Sequence, residues 1–230
     1  MKWLLSLAEE YRAEIRSGQF FKALEMTERR EQVKGWMRQL YYQSRDFTSA
    51  LSMRYAVCKD PRFQGCFAKH AMEEVDHCDQ LLAWMRKHDF LDSEENPTAI
   101  LPTLETSLVS AYCFRSIFRE SYAHQVIAMN LISEGVSYDF FSAVNPKLKS
   151  LGLSVGRYWQ VHQEIDQQHL QLGLDLIPQC EKDSAQGKVY AQIAWETASL
   201  YQRMLDSWSQ LIPANEWYQQ QEQVKLMSLT

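Results

Sequence analysis

The segment "YWQVHQEIDQQHLQL" at residues 158–172 places His162, Asp166 and His169 four and three residues apart. Those intervals stack side chains on one helical face. An earlier segment, "KHAMEEVDHCDQLLAWM", repeats the pattern with His70, Glu74 and His77, so four of the six histidines fall in two copies of H-x-x-x-[ED]-x-x-H. Between the copies, Glu134 interrupts an apolar run in "YAHQVIAMNLISEGVSYDFF". An ionised carboxylate in such a run is costly unless it is paired or bound to a metal. Converging imidazoles and carboxylates without thiolates suit iron or manganese, with zinc as a further option. With at least three carboxylates, a two-metal centre is more natural than one metal, because bridging acids hold two cations close together and leave positions open for dioxygen.

Plainer readings exist for each feature. A single buried histidine is usually a hydrogen-bonded core residue, and His88 and His124, which stand alone, are assigned to that role. An acid and a histidine three apart on an exposed helix face are commonly just solvated. The repeated pattern, with an isolated acid on a third helix, is harder to explain in these ways.

The elements that must carry these residues are helices, since apolar residues recur at helical spacing almost everywhere. Punctuation at Gly18, Asp60-Pro61, 94–103, 145–154 and 180–187 predicts helices over 2–16, 27–58, 61–88, 104–120, 122–143, 155–178 and 186–210. A short final helix is expected after Pro213. The result is an all-α bundle of about seven helices forming a single domain over residues 1–230. Within it, Phe67 and Leu81 extend the His70/Glu74/His77 stripe. Ile127, Leu131, Glu134, Tyr138 and Phe141 share one face of their helix. Val161, Ile165 and Leu172 form an apolar stripe that puts His162, Asp166 and His169 at the core boundary.

Composition narrows the function classes. Hydrophobic residues make up 46% and charged residues 23% of the chain, which argues against disorder. A net charge of -5 without a long basic run makes nucleic acid a poor partner. No segment holds 18 uninterrupted apolar residues, so no membrane span is expected. The N-terminal "MKWLLSLAEEYRAEIR" reads as an amphipathic helix rather than a signal peptide. Five cysteines without a C-x-x-C fit reduced thiols of the cytoplasm better than disulfides or a zinc site.

Carboxylate-x-x-His occurs twice, as in ferritin-like di-iron bundles. That pattern also needs a Glu on the helix before 61–88, yet residues 32–72 contain none and offer only Asp46 there. The run "HAMEEVDHCDQLL", then "LISEG", then "HQEIDQQH" resembles instead the haem-oxygenase-like di-iron oxidases and oxygenases, which share a scaffold with thiaminase II and the pyrroloquinoline quinone synthase. The resemblance extends over roughly 20–178 and includes "ILPT". It implies a haem-oxygenase-like fold, two non-haem iron ions, and Glu74, His77, Glu134, His162, Asp166 and His169 as their ligands. Glu73 could substitute for Glu74, and His70 or Asp46 could serve as the seventh ligand that some members have. A homodimer is the family's habit.

The resemblance implies an O2-activating oxidoreductase acting on a small amine- or carboxylate-bearing metabolite, by N-oxygenation, C–C cleavage or desaturation. Arg115, Arg119 and Arg157 could neutralise a substrate carboxylate, or lie on the surface. Tyr112, Tyr122 and Tyr138 could line the site, or pack. Two alternatives stand beside this one. The first is a metal-free thiaminase II-like hydrolase or cofactor-free oxidase, although "MNLISEGV" lacks the cysteine a thiaminase needs and Cys113 lies one helix earlier. The second is a non-catalytic interaction protein that keeps a metal for stability.

Overall fold

A computed structural model describes residues 1–213, and the helix expected after Pro213 lies outside them. The described residues build helices α1 (Lys2–Arg16), α2 (Gln19–Glu25), α3 (Lys34–Val57), α4 (Pro61–Glu74), α5 (His77–Lys87), α6 (Leu104–Arg119), α7 (Tyr122–Gln125), α8 (Gly135–Ser150), α9 (Arg157–His169) and α10 (Ala185–Ser209). A 3₁₀ turn at Arg30–Val33 precedes α3, and a π-helical segment, Val126–Glu134, joins α7 to α8. No strand occurs among the described residues. None of their helices is long and apolar enough to cross a membrane.

Local chemistry sets several boundaries. Asp60 caps α4 by accepting from the Arg62 N–H at 3.0 Å, with Pro61 in the first helical position. Thr103, Ser121 and Ser184 cap α6, α7 and α10 in the same way. The chain breaks at Gly18 as expected, but then forms the separate helix α2, whose Phe20 joins Trp36, Phe140 and Trp208 in an aromatic cluster.

The expected helix 61–88 is two helices, broken at Val75-Asp76 where no glycine or proline marks it. There the freed Glu74 carbonyl accepts from Thr48 Oγ1 at 3.2 Å. The expected break after 143 is absent, and α8 continues through Pro146 to Ser150. Tertiary ties offset the backbone hydrogen bond that proline removes. Asn145 Nδ2 donates to the Trp159 carbonyl at 2.8 Å, and Lys147 Nζ to the carbonyls of Glu25 and Thr27 at 2.8 and 3.1 Å.

The segment from α7 to α8 is the axis of the bundle, buried on all sides from His124 to Val136. α1 is fastened to it by Arg12, whose guanidinium makes a two-pronged ion pair with Asp139 at 2.6 and 2.8 Å. Gly135 leaves room for that arm, since a Cβ there would come within 2.8 Å of Arg12 Cδ.

Candidate metal centre

Three pieces of helix converge on one buried space. The last turn of α4 brings His70, Glu73 and Glu74, and α5 begins with His77. The π segment ends in Glu134, and α9 contributes His162, Asp166 and His169. On α9 the expected apolar stripe is the outer one. Val161 and Ile165 are only partly buried, as is Leu172 just beyond the end of the helix, whereas His162, Asp166 and His169 face inward at 6%, 0% and 1% exposure. The polar residues are the core face of this helix, not its edge.

Two groups of ligand-type atoms form there. His70, Glu74, Glu134 and His169 each bring one such atom within 4.8 Å of the others, and so do Glu74, His77 and His162. Glu74 belongs to both. Its Oε1 lies 3.4 Å from His169 Nδ1, while Oε2 lies 2.6 Å from His77 Nδ1 and 3.7 Å from His162 Nε2. The imidazoles pair on either side, His70 with His169 and His77 with His162, each with ring centroids 4.3 Å apart.

Surrounding groups fix the orientation of several of these residues. His162 Nδ1 donates to the Tyr158 carbonyl at 2.6 Å, which turns Nε2 inward, and Phe141 stacks on its ring. His169 Nε2 donates to Glu73 Oε2 at 2.9 Å, which turns Nδ1 inward. Ser137 donates to Asp166 Oδ2 at 2.7 Å. A histidine whose far nitrogen is held by a carbonyl or carboxylate is oriented as metal-binding histidines are.

The charges are mutually dependent. Burial alone would raise Glu74, but His162 and His77 outweigh it and hold the carboxyl well below its usual range. Glu134 is lowered in the same way, by His70 and His169 against the effect of burial. Burial opposes charge on His162 and His169, yet Asp166 and Glu74 push His162 up to about 9, and chiefly Glu134 pushes His169 up to about 9. Burial, helped by Glu134 and Glu74, holds Asp166 well above the carboxylate range. His70 is lowered by burial.

A cation fits this set. Glu74 Oε1 and His169 Nδ1, both of the first group, are buried without any hydrogen-bond partner, and so is Oδ1 of Asp166, which belongs to neither group. Such orphaned groups cost about 1–3 kcal/mol each unless something satisfies them. Oxygen and imidazole donors without a thiolate suit iron.

Other sequence candidates fall elsewhere. Asp46 is paired with Arg45 at 2.7 Å and belongs to neither group. Arg115 is 60% exposed and paired with Glu120, and Arg119 and Arg157 are not buried either. Tyr138 lies under the Arg12 guanidinium, Tyr112 bonds His124, and Tyr122 accepts from the Lys59 N–H. The narrow cleft beside the centre is lined instead by Gln43, Ser44, Phe47, Ser133, Phe141 and Tyr201, among others, and by no lysine or arginine. His88 bonds Ser154 away from the centre. Arg54 and Asn130, wholly buried behind His70, are not singled out by any spacing motif. Their signal is a polar residue inside each of two apolar runs, Ala50/Leu51/Arg54 and "VIAMNLI".

Solved structures similar to this chain share its fold. A domain of unknown function with a haem-oxygenase-like fold from Shewanella denitrificans superposes with a TM-score of 0.68 at 16% identity, covering 90% of each chain. A TenA homologue from Pseudomonas syringae pv. tomato superposes with a TM-score of 0.69 at 13% identity, covering 91% of this chain and 92% of its own. No curated protein matches the chain. A family described as iron-containing redox enzymes matches residues 34–202, a span that includes all the converging polar residues. The chain therefore has a haem-oxygenase-like fold and belongs to the family of iron-containing redox enzymes.

Proposed function

We propose that the protein is a non-haem di-iron enzyme that uses O2 to oxidise a small metabolite. Glu74, His77, Glu134, His162, Asp166 and His169 would hold the metals. The observation that carries this reading is the position of Glu74, whose two oxygens face separate histidine groups, with Oε1 buried and unpartnered. Two ferrous ions bound there would supply two electrons to O2, and the substrate's oxidation would supply two more. The protein's own part is orientation. Glu73 keeps the His169 proton on Nε2, the Tyr158 carbonyl keeps that of His162 on Nδ1, and Ser137 aims Asp166.

The substrate would enter through the cleft at Gln43, Phe47, Ser133 and Tyr201. Apart from Glu74, Glu134 and His162 of the centre itself, its lining offers neutral hydrogen-bonding groups and no lysine or arginine, which favours the amine-bearing class over the carboxylate-bearing one. Phe47, Phe141 and the Tyr201 ring offer apolar walls for a short carbon skeleton.

A thiaminase-like hydrolase would need a reactive thiol. Burial pushes Cys113 up to about 12 and raises Cys66 and Cys78, so these thiols are poor nucleophiles. Anaerobic loading with ferrous iron, followed by oxygen exposure, tests the proposal. About two irons per chain and O2 consumption accelerated by small amines are expected. Iron uptake without any O2 reaction across an amine panel would leave a metal-stabilised, non-catalytic protein.

A further inference from the structure

His70 sits within reach of the centre, yet its hydrogen bonds differ from those of the other histidines. Its Nε2 lies 2.6 Å from Glu134 Oε1, and the ring is wholly buried. Its Nδ1 meets Arg54 Nη2 at 2.9 Å and Asn130 Nδ2 at 3.0 Å. A guanidinium can only donate. The Asn130 amide is oriented by two further contacts, Oδ1 accepting from Arg54 Nη1 at 2.9 Å and Nδ2 donating to the His169 carbonyl at 3.2 Å. Both neighbours of Nδ1 are therefore donors. The nitrogen must present its lone pair, and the ring proton must lie on Nε2, pointing at Glu134.

A metal ion at Nε2 would require that proton to move to Nδ1, against two donors that cannot accept it. His77 is under no such constraint, because its Nε2 meets no hydrogen-bond partner among the described residues and can take the proton that Nδ1 now shares with Glu74. His169 has the opposite arrangement to His70, with its Nε2 proton held by Glu73 and Nδ1 unpartnered. Arg54 itself is fixed in place, fully buried, with its guanidinium 4.1 Å from the centre of the Phe67 ring.

We infer that His70 is a positioning residue rather than a ligand: Arg54 and Asn130 lock its proton on Nε2, and it holds Glu134 Oε1. Glu134 is thereby left one oxygen for a metal, Oε2, which lies 3.7 Å from His169 Nδ1. This rests on the metal-centre reading above, and it sets Arg54, Asn130 and His70 as one relay that orients Glu134.

The test is nitrogen-15 NMR of histidine-labelled protein, both metal-free and loaded with zinc as a diamagnetic probe, together with cobalt(II) titration of three variants. The expected His70 signal is an Nε2–H ring with an unprotonated, hydrogen-bond-accepting Nδ1 in both forms. His70→Gln keeps an N–H donor near the same place, so it should bind as many cobalt equivalents as the wild type with the same visible absorption. His70→Leu should keep that count with metal affinity about 10–100-fold weaker, and His169→Gln should change the count or the absorption. A zinc-bound Nε2 on His70, or loss of a cobalt equivalent in His70→Gln as in His169→Gln, overturns the inference. If the wild type takes up no metal, the metal-centre reading fails. The metal-free spectrum then still decides the tautomer, and an Nδ1–H ring there overturns the relay.

Discussion

Glu74 and His77 are three residues apart in the chain but stand on different helices, with Glu74 Oε2 2.6 Å from His77 Nδ1 across the break at Val75-Asp76. On an unbroken helix the two side chains would stack along one face. Here α4 ends at Glu74 and α5 starts at His77, and Glu74 reaches His77 and His162 with one oxygen and His169 with the other.

On the proposed reading, Glu74 is the residue common to both groups, and its loss should affect both metal sites. Glu74→Ala is expected to lower bound iron from about two to well under one per chain, whereas His162→Ala should retain about one. Iron assay after anaerobic loading and desalting measures this. Equal losses in the two variants would contradict a shared carboxylate.

Metal binding should strengthen as pH rises. The buried carboxylates around them push His162 and His169 up to about 9, which favours the protonated rings that a metal must displace. Affinity for zinc measured from pH 6.5 to 9 is expected to climb across that window and then flatten, and a flat profile would speak against both histidines.

The metal-free protein should show the opposite trend in stability. Both histidines have folded-state values raised above the unfolded value near 6.5. Their contribution is fully present below pH 6.5 and is lost as pH rises through about 9. Urea midpoints of chelator-treated protein should fall over that range. Zinc-loaded protein should fall less or rise.

Ser137→Ala removes the donor to Asp166 Oδ2 without touching the other proposed ligands. Metal affinity is expected to fall about 10–100-fold with the stoichiometry kept. Phe140→Ala, in the aromatic cluster with Phe20, Trp36 and Trp208, should instead cost about 3–5 kcal/mol in urea unfolding and leave the metal count unchanged.

Much of this site is legible in the sequence because its spacing is local. His162, Asp166 and His169 lie within eight residues, and any helix places them on one face. Glu134 is legible as an acid in an apolar run. The features that escape the sequence depend on contacts distant along the chain. The break at Val75-Asp76 is secured by Thr48, and α8 passes Pro146 through ties to Trp159, Glu25 and Thr27. Arg54 and Asn130 are 76 residues apart and make sense only once paired. On α9, hydrophobicity points the wrong way, because polar residues that serve a buried centre take the inner face from Val161 and Ile165. The π segment at Val126–Glu134 has no sequence signature, though such segments often lie at functional sites.

The proposed centre is a pair of metal ions held by carboxylates and imidazoles around Glu74. Iron K-edge X-ray absorption of the anaerobically loaded protein tests it most directly. A nitrogen and oxygen shell with no sulfur is expected, with an iron–iron vector at about 3.5–4 Å. A sulfur shell, or loaded iron with no iron neighbour, would contradict it.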